Sequence, residues 1–262
     1  MTALRNIWAI VEKEWRHYFG SPIAYVALFV WSLLYGIFFN FALSYFLRRS
    51  MMGGGMEYGP APKMSLNEWV ISPVFHNMAV VVLFLAPMLT MRLFAEEKRQ
   101  GTIELLATAP ITDLQIVLGK FFAAAGLYAL MLLAGMLNLV ALWRYATNPP
   151  EWKPMASGAL ALLLFGCCFI AVGTFVSTLT RNQIVAGIIS FCLFLGIWTL
   201  GWADDPMSGP VWKVVAYLGV TTHLEDMLKG VLDLKDLVFY LSFIVFGLFA
   251  AHQSVESQRW RA

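Results

Sequence analysis

Charged residues and cysteine are both scarce in this 262-residue chain. Asp, Glu, Lys and Arg make up 13% of it, against roughly 25% in an ordinary soluble domain. The formal net charge of +2 is too small to indicate a nucleic-acid partner. The three cysteines lie in apolar runs, which argues against a disulfide framework or a cysteine metal site. Hydrophobic residues make up 60% of the chain, so lipid is the expected solvent for most of its surface.

The sequence also lacks the motifs of an enzyme. Gly119-Lys120 is followed by Phe121 and has no glycine at the required upstream position, so it is not a phosphate-binding loop. It contains no nucleophilic triad, no paired catalytic carboxylates and no His-x-x-x-His pattern. The histidines are scattered, and each is predicted to be an interfacial polar residue rather than a metal ligand: His17, His76, His223 and His252. We therefore expect no enzymatic activity and no cofactor bound by this chain.

Six apolar stretches are long enough to cross a bilayer, which requires about 20 residues of helix. Within a few residues they are 22–47, 73–94, 114–143, 155–180, 183–203 and 236–254. The predicted fold class is therefore all-α: a polytopic membrane protein with a single six-helix domain over residues 21–262. Charged residues are absent from the middle of every span, which argues against an ion- or proton-coupled transporter or a channel.

Polar and small residues within the spans predict contacts between helices. Asn40 and Asn138 are expected to hydrogen-bond across helix–helix contacts, and Gly173-x-x-x-Ser177 is expected to allow close packing. Three capping boxes are predicted: Ser65 with Glu68, Thr112 with Gln115, and Thr222 with Glu225. Gly230 is the predicted C-cap of the helix that begins at Thr222.

Residues 1–20 form an amphipathic segment before the first span. Apolar residues recur at helical spacing on one side: Leu4, Ile7, Trp8, Val11, Trp15 and Tyr18. Charged residues take the other side: Arg5, Glu12, Lys13 and Arg16. The pattern predicts a helix that lies in the membrane interface.

The distribution of Lys and Arg predicts cytoplasmic termini. With that orientation ten of these residues lie inside and eight outside. The outside residues fall mostly in two longer loops, where the preference of Lys and Arg for the cytoplasmic side is weaker.

The densely charged segment after the second span is the main candidate for function. Gly101 permits a break, Thr102 can cap, and residues 102–109 predict a helix of about two turns that ends before Pro110. A helix this short is unstable alone, so it must dock on a partner or remain a solvated loop. The residues expected at such a docking site are Glu96, Glu97, Arg99, Gly101, Thr102, Ile103, Glu104, Leu105, Leu106 and Pro110.

Residues 96–120 (EEKRQGTIELLATAPITDLQIVLGK) resemble the corresponding region of type-2 ABC exporter permeases. So does the predicted cytoplasmic turn after Ser177, which contains Thr180, Arg181, Asn182 and Gln183. The resemblance extends over essentially the whole chain. Residues 223–242 (HLEDMLKGVLDLKDLVFYLS) further resemble the permease subunit of gliding-motility ABC transporters.

The resemblance implies a half-transporter in a bacterial cytoplasmic (inner) membrane. It would pair with a second copy or a homologous permease and with a separate ABC ATPase subunit that binds ATP and Mg²⁺. The helix at 102–109 would be the coupling helix, residues 1–20 would be the connecting helix, and an auxiliary extracytoplasmic subunit is a further possible partner.

An ATP-driven exporter subunit is the leading hypothesis. The alternative is a structural membrane anchor of a motility or envelope complex that moves no solute, because the apolar, aromatic spans offer no polar path. A secondary transporter or channel comes third and a membrane enzyme last.

Overall fold

A computed structural model of the chain describes residues 2–52, 65–102, 111–146, 149–203 and 209–259. Within these ranges the chain consists of helices and short connections, with no β-strand. Six helices are long and apolar enough to cross a membrane, which confirms the predicted all-α fold with six spans.

The α-helices are α1 (Thr2–Gly20), α2 (Pro22–Met52), α3 (Ser72–Thr90), α4 (Ala95–Gln100), α5 (Asp113–Tyr145), α6 (Trp152–Leu179), α7 (Gln183–Leu200), α8 (Pro210–Tyr217), α9 (Val220–Leu228) and α10 (Leu234–Arg259). A π-helical turn, Asn67–Ile71, precedes α3, and a 3₁₀ turn, Gly201–Ala203, follows α7. The spans are α2, α3, α5, α6, α7 and α10.

The second span differs from its predicted range of 73–94. Helix α3 ends at Thr90, a turn covers residues 91–94, and α4 begins as a separate helix at Ala95. Pro87 lies in the last turn of α3 and has no N–H to continue the helical hydrogen bonds, which weakens the helix near this point. The hydroxyl of Thr90 donates to the carbonyl of Ala86 at 2.9 Å in the same turn.

One of the three predicted capping boxes is confirmed. At the start of α5 the Thr112 hydroxyl accepts from the backbone N–H of Gln115, and the Gln115 side chain accepts from that of Thr112, both at 3.4 Å. The box at Thr222 is wrong, because α9 begins at Val220 and the Thr222 hydroxyl donates to the carbonyl of Ala216 at 3.1 Å.

The predicted box at Ser65 is also wrong. The Ser65 hydroxyl accepts from the backbone N–H of Asn67 at 3.2 Å, and a π-helical turn rather than a capped α-helix begins there. The predicted C-cap at Gly230 is confirmed by its positive φ of 90°, a conformation that glycine adopts without steric cost.

Helix α6 lies at the centre of the bundle. It packs against α3, α5, α7, α9 and α10. In the most apolar stretch of each span, the buried share is 67% in α3, 61% in α5 and 67% in α6. It is only 17% in α2 and 22% in both α7 and α10. The three central spans therefore form the core, and the other three present most of their apolar side chains outward.

Close approach between α3 and α6 depends on Gly173, as the small-residue pattern predicts. A Cβ atom at this position would lie 2.2 Å from the hydroxyl oxygen of Thr90. The prediction for the two asparagines is wrong: Asn40 donates to the carbonyl of Gly36 at 2.8 Å and Asn138 to that of Gly135 at 3.2 Å, each within its own helix.

Helix α1 confirms the predicted amphipathic helix, but its faces are arranged differently. It packs mainly on α5, with Ile10, Val11 and Glu14 buried. Leu4 and Trp8 of the predicted apolar face are 77% and 68% exposed. The helix therefore has a face packed on the bundle and a separate exposed apolar patch at its N-terminal end.

Six alternating spans give the bundle two ends. We call the end that holds α1, α4, the α6–α7 turn and the C-terminal part of α10 the α4 end. The opposite end, which holds the π-helical turn, α8 and α9, is the α9 end.

Candidate functional site

Helix α4 carries the charges that the sequence places at the docking site. Glu96 and Glu97 lie in its first turn, and Lys98 and Arg99 lie in its last turn. This order is favourable for the helix dipole, which is positive at the N-terminus and negative at the C-terminus. Arg92 donates to Glu96 at 3.1 Å, whereas the side chain of Arg99 is exposed.

Glu97 connects α4 to two other helices. Its Oε1 atom accepts from Nζ of Lys13 on α1 at 3.0 Å and lies 3.0 Å from Nζ of Lys120 on α5. Lys120 also donates to Oε1 of Glu14 on α1 at 2.9 Å. We call these four residues, Lys13, Glu14, Glu97 and Lys120, the ionic joint, because they bring α1, α4 and α5 together.

The lysine at the centre of the ionic joint is almost entirely buried. The side chain of Lys120 is 1% exposed, and those of Glu14 and Glu97 are 9% and 13% exposed. Removing a cation from water is costly, and only close opposite charges offset that cost. The ammonium also lies 5.2 Å from the ring centre of Phe94, a favourable cation–π distance. The buried charges therefore hold the three helices in a fixed relation, because separating them would leave a buried charge without its partner.

The break between α3 and α4 is hydrogen-bonded to α6. The hydroxyl of Ser177 accepts from the backbone N–H groups of Phe94 and Ala95 at 3.0 and 3.2 Å, and it donates to the carbonyl of Met91 at 3.2 Å. Nζ of Lys98 donates to the carbonyl of Thr178. The start of α4 is thus attached to the end of α6.

Helix α4 ends at Gln100, and Gly101 is its C-cap, at the break that the sequence predicts. Gly101 has a φ of 71°, in the left-handed region, and its N–H bonds to the carbonyl of Glu97. The backbone N–H and the hydroxyl of Thr102 donate to the same carbonyl, at 3.1 and 3.4 Å. The predicted coupling helix itself, with Ile103, Glu104, Leu105, Leu106 and Pro110, lies outside the described residues.

The predicted tight turn between α6 and α7 is present. Helix α6 ends at Leu179, and the side chain of Asn182 caps α7 by accepting from the N–H of Ile184 at 2.9 Å. The hydroxyl of Thr180 accepts from the N–H of Asn182 at 3.1 Å. Arg181 is exposed, and Gln183 is the first residue of α7. The turn lies near α4, because Lys98 bonds to the end of α6.

Two members of the ionic joint, Glu14 and Lys120, were not identified from the sequence. The spacing of Glu14 carries a signal, because Val11, Glu14 and Tyr18 lie on one side of α1 at helical intervals, which places a carboxylate within the buried face. A charge at such a position predicts a buried partner, although it does not identify it.

Next to the ionic joint lies a cavity of about 510 Å³ lined by α1, α2, α3, α4 and α5, with Tyr18 in its wall. Burial raises the pKa of the Tyr18 hydroxyl far above its ordinary range, and the negative charge of Glu14 raises it further, while Arg92 lowers it. Tyr18 is therefore neutral at any physiological pH and keeps its O–H.

A second buried polar pair lies at the α9 end. Nδ1 of His223 on α9 is 2.6 Å from Oδ1 of Asp236 on α10, and the two side chains are 3% and 0% exposed. Nε2 of His223 lies 3.0 Å from the carbonyl oxygen of Tyr217. The interpretation of His223 as an interfacial residue is therefore wrong, because α9 folds it into the bundle.

The fold and the two ends of the bundle define a multi-pass, all-helical membrane protein. Its central spans are tightly packed, and a buried ionic joint links a short charged helix to the bundle.

The chain belongs to the ABC-2 transporter family: residues 8–204, more than half of its length, match the family described as "ABC-2 family transporter protein". It is therefore a transmembrane permease of the ABC-2 type. It is 24% identical over 172 residues to a protein of Escherichia coli strain K12 described as "Probable multidrug ABC transporter permease YbhR". The protein of the same description from Escherichia coli O157:H7 matches with the same identity and length. Each match covers 64% of this chain and 45% of the relative, so the chain spans about half the length of these relatives.

Proposed function

We propose that this permease receives force from a separate ABC ATPase subunit at α4 and the segment that follows it, and passes that force to the spans. Permeases of this family work with an ATPase that is a separate chain, and export driven by ATP hydrolysis is the function that this arrangement supports best. The observation that carries the proposal is the ionic joint, which links α4 to α1 and α5.

The contacts of α4 support this assignment. Displacement of α4 would act on α5 through Lys120 and on α6 through Ser177, and both of these spans belong to the core. The exposed side chain of Arg99 remains available to a partner. We propose the same contact role for the α6–α7 turn, because Lys98 connects that turn to α4.

The experiment is to reconstitute the permease with its ATPase in lipid nanodiscs and to measure ATP hydrolysis by the complex. We expect Glu97→Lys combined with Leu105→Asp to abolish the effect of the permease on the ATPase rate. Arg99→Glu changes only an exposed side chain, so its effect cannot come from misfolding. We expect it to weaken co-purification of the ATPase about tenfold, the magnitude of one lost charge-assisted contact.

A matched control changes the same residue types at the α9 end. Glu225 is exposed and Leu232 is 52% exposed there, so Glu225→Lys with Leu232→Asp should leave the ATPase interaction unchanged. Wild-type coupling and binding in both α4 variants would contradict the proposal, and so would equal losses in the control.

We further propose that the α4 end and both termini face the cytoplasm. In a background without the native cysteines, Arg181→Cys should react with a membrane-impermeant maleimide only after the cells are permeabilised. Lys229→Cys at the α9 end should react in intact cells. The reverse pattern would contradict the orientation and, with it, access of a cytoplasmic ATPase to α4.

The remaining parts of the assembly are also proposals. We propose a permease dimer, with residues 1–20 as the connecting helix and residues 21–262 as the membrane domain. That an auxiliary extracytoplasmic subunit contacts the α9 end stays a prediction. That the chain is of the gliding-motility subtype also stays a prediction. The description of the relatives as multidrug transporter permeases favours a solute exporter over a structural anchor. ATPase activity stimulated by an added solute would separate the two.

A further inference from the structure

Both ring nitrogens of the buried His223 face an oxygen atom. Nδ1 lies 2.6 Å from Oδ1 of Asp236 on α10, and Nε2 lies 3.0 Å from the carbonyl oxygen of Tyr217 at the end of α8. A carbonyl oxygen only accepts, so Nε2 must carry a proton to make its contact. A second proton must lie between Nδ1 and Oδ1, because two unprotonated atoms cannot hydrogen-bond. The imidazole therefore joins α9 to both α8 and α10.

The second proton can be bonded to either atom of the short contact. If it is on Nδ1, His223 is an imidazolium beside the Asp236 carboxylate. If it is on Oδ1, a neutral imidazole accepts from a neutral carboxyl group. The pair holds two protons in both cases and has no net charge. With one proton fewer, one of the two contacts would bring two acceptors together, so the geometry requires two protons.

Burial makes the loss of one proton costly. The side chains of His223 and Asp236 are 3% and 0% exposed, and Oδ2 of Asp236 has no hydrogen-bond partner among the described residues. Phe239 covers one face of the imidazole, with 4.0 Å between the ring centres, and supplies no donor to the carboxylate. Without the second proton the site would therefore hold a net negative charge that neither water nor a further donor stabilises.

The surrounding titratable groups do not replace this proton. On α9 and the elements packed against it, the described groups of this kind are Lys153, Cys167 and Cys168 of α6, His76 of α3, Cys192 of α7, Tyr217 of α8, Glu225, Asp226 and Lys229 of α9 and its end, and Lys235, Tyr240, His252 and Glu256 of α10. Lys235 is near enough to interact with Asp236, but its ammonium bonds to Asp233 at 3.0 Å at the surface. The Tyr240 hydroxyl donates to the carbonyl of Val220 at 3.0 Å.

We propose that the His223–Asp236 pair is a proton-binding site that holds α8 and α9 to α10 only while it carries two protons. When the pair releases one proton to water, it loses one of its two contacts, and α8 and α9 open more readily. In an opened chain, histidine and aspartic acid have ordinary pKa values of about 6.5 and 3.9. The stabilisation is therefore fully present between about pH 4 and 6.5 and falls as the pH rises further. This inference does not depend on an ATPase or on the orientation in the membrane.

The test is hydrogen–deuterium exchange of the purified permease in lipid nanodiscs, corrected for the intrinsic pH dependence of exchange and made where closing is faster than exchange. The decisive variant is Asp236→Asn, whose amide can donate to Nδ1 of a neutral His223 while Nε2–H still donates to Tyr217. Both contacts then persist without a titrating proton. Between pH 7 and 8 we expect the opening constant of α8 and α9 to rise about tenfold per pH unit in the wild type relative to this variant.

A matched control changes the other histidine–carboxylate pair of α10. Nδ1 of His252 lies 3.9 Å from Oε2 of Glu256, and the two side chains are 27% and 44% exposed. Glu256→Gln should therefore keep the wild-type pH dependence of opening at α8 and α9. A second measurement is nitrogen-15 NMR of the histidine rings at pH 7.5, with the signals of His223 assigned by their loss in His223→Gln. We expect a proton on Nε2 of His223.

Three outcomes would overturn the proposal. The first is opening of α8 and α9 that does not depend on pH in the wild type, and the second is an equal pH dependence in Asp236→Asn. The third is an unprotonated Nε2 on His223 at pH 7.5, because the pair would then hold one proton. The NMR measurement uses the wild-type chain, so it decides the proposal even if Asp236→Asn does not fold. A coupling defect with unchanged exchange at α8 and α9 would concern the ATPase proposal alone.

Discussion

Replacing Lys120 with methionine would leave the buried carboxylate of Glu14 without the ammonium that it contacts at 2.9 Å. Glu97 would lose the same ammonium but keep Lys13 at 3.0 Å, so most of the cost falls on Glu14. Methionine is unbranched and has a similar length, so it can occupy the space of the lysine stem without a large cavity.

The expected cost follows from the burial of the two partners. Lys120 is 1% exposed and Glu14 is 9% exposed at its side chain. Removing one member of a buried ion pair destabilises a protein by about 3–5 kcal/mol, because the other charge remains buried without compensation. Replacing both members with apolar residues is often neutral. We therefore expect Lys120→Met to cost about 3–5 kcal/mol and the double variant Glu14→Met, Lys120→Met to cost about 1 kcal/mol.

Unfolding in mixed micelles, followed by circular dichroism over a titration with sodium dodecyl sulfate, would measure these differences in free energy. Lys229→Met, which changes an exposed lysine at the α9 end, is the matched control and should be neutral. The reasoning is refuted if Lys120→Met lies within 1 kcal/mol of the wild type, or if the double variant is as unstable as the single one.

Two further substitutions test other positions. Gly101→Ala forces a residue with a Cβ into the left-handed conformation at φ 71°, so it should destabilise the protein by about 1–2 kcal/mol. It should also reduce ATPase coupling. The control is Gly196→Ala, whose added Cβ meets open space and should change neither stability nor coupling in this way. His223→Ala leaves Asp236 buried and unpaired and should cost about 3 kcal/mol by the same unfolding assay; full stability would contradict this, and adding Asp236→Leu should restore most of the loss.

The spans could be predicted because the bilayer imposes one requirement on every helix that crosses it. A run of about 20 apolar residues is sufficient evidence for a span, and this requirement does not depend on tertiary contacts. The confirmed cap at Thr112 is equally local, since both of its hydrogen bonds join residues three positions apart. The predicted cap at Thr222 failed because the contact between α8 and α9 decided the outcome. Helix α9 begins two residues earlier, at Val220, and the Thr222 hydroxyl bonds to the carbonyl of Ala216 in α8.

The candidate site could be predicted only in part, for the same reason. The charges of α4 and the stop at Gly101 are local features of the sequence, and the structure has both. The partners of Glu97 are separated from it by 84 residues in one direction and 23 in the other, at Lys13 and Lys120. No local pattern specifies such pairs, because they arise only when α1 and α5 pack side by side. The same is true of His223 and Asp236, which meet when α9 folds back on α10.

The Ser177 hydroxyl has a mechanical consequence for the break after α3. A break between two helices leaves carbonyl groups at the end of the first helix and N–H groups at the start of the second, and these N–H groups must find hydrogen-bond acceptors elsewhere. Here one side chain on α6 satisfies two of them and also holds the carbonyl of Met91. The break is therefore a rigid bend rather than a flexible hinge. When α4 rotates, the end of α6 must rotate with it, or three hydrogen bonds are lost at once.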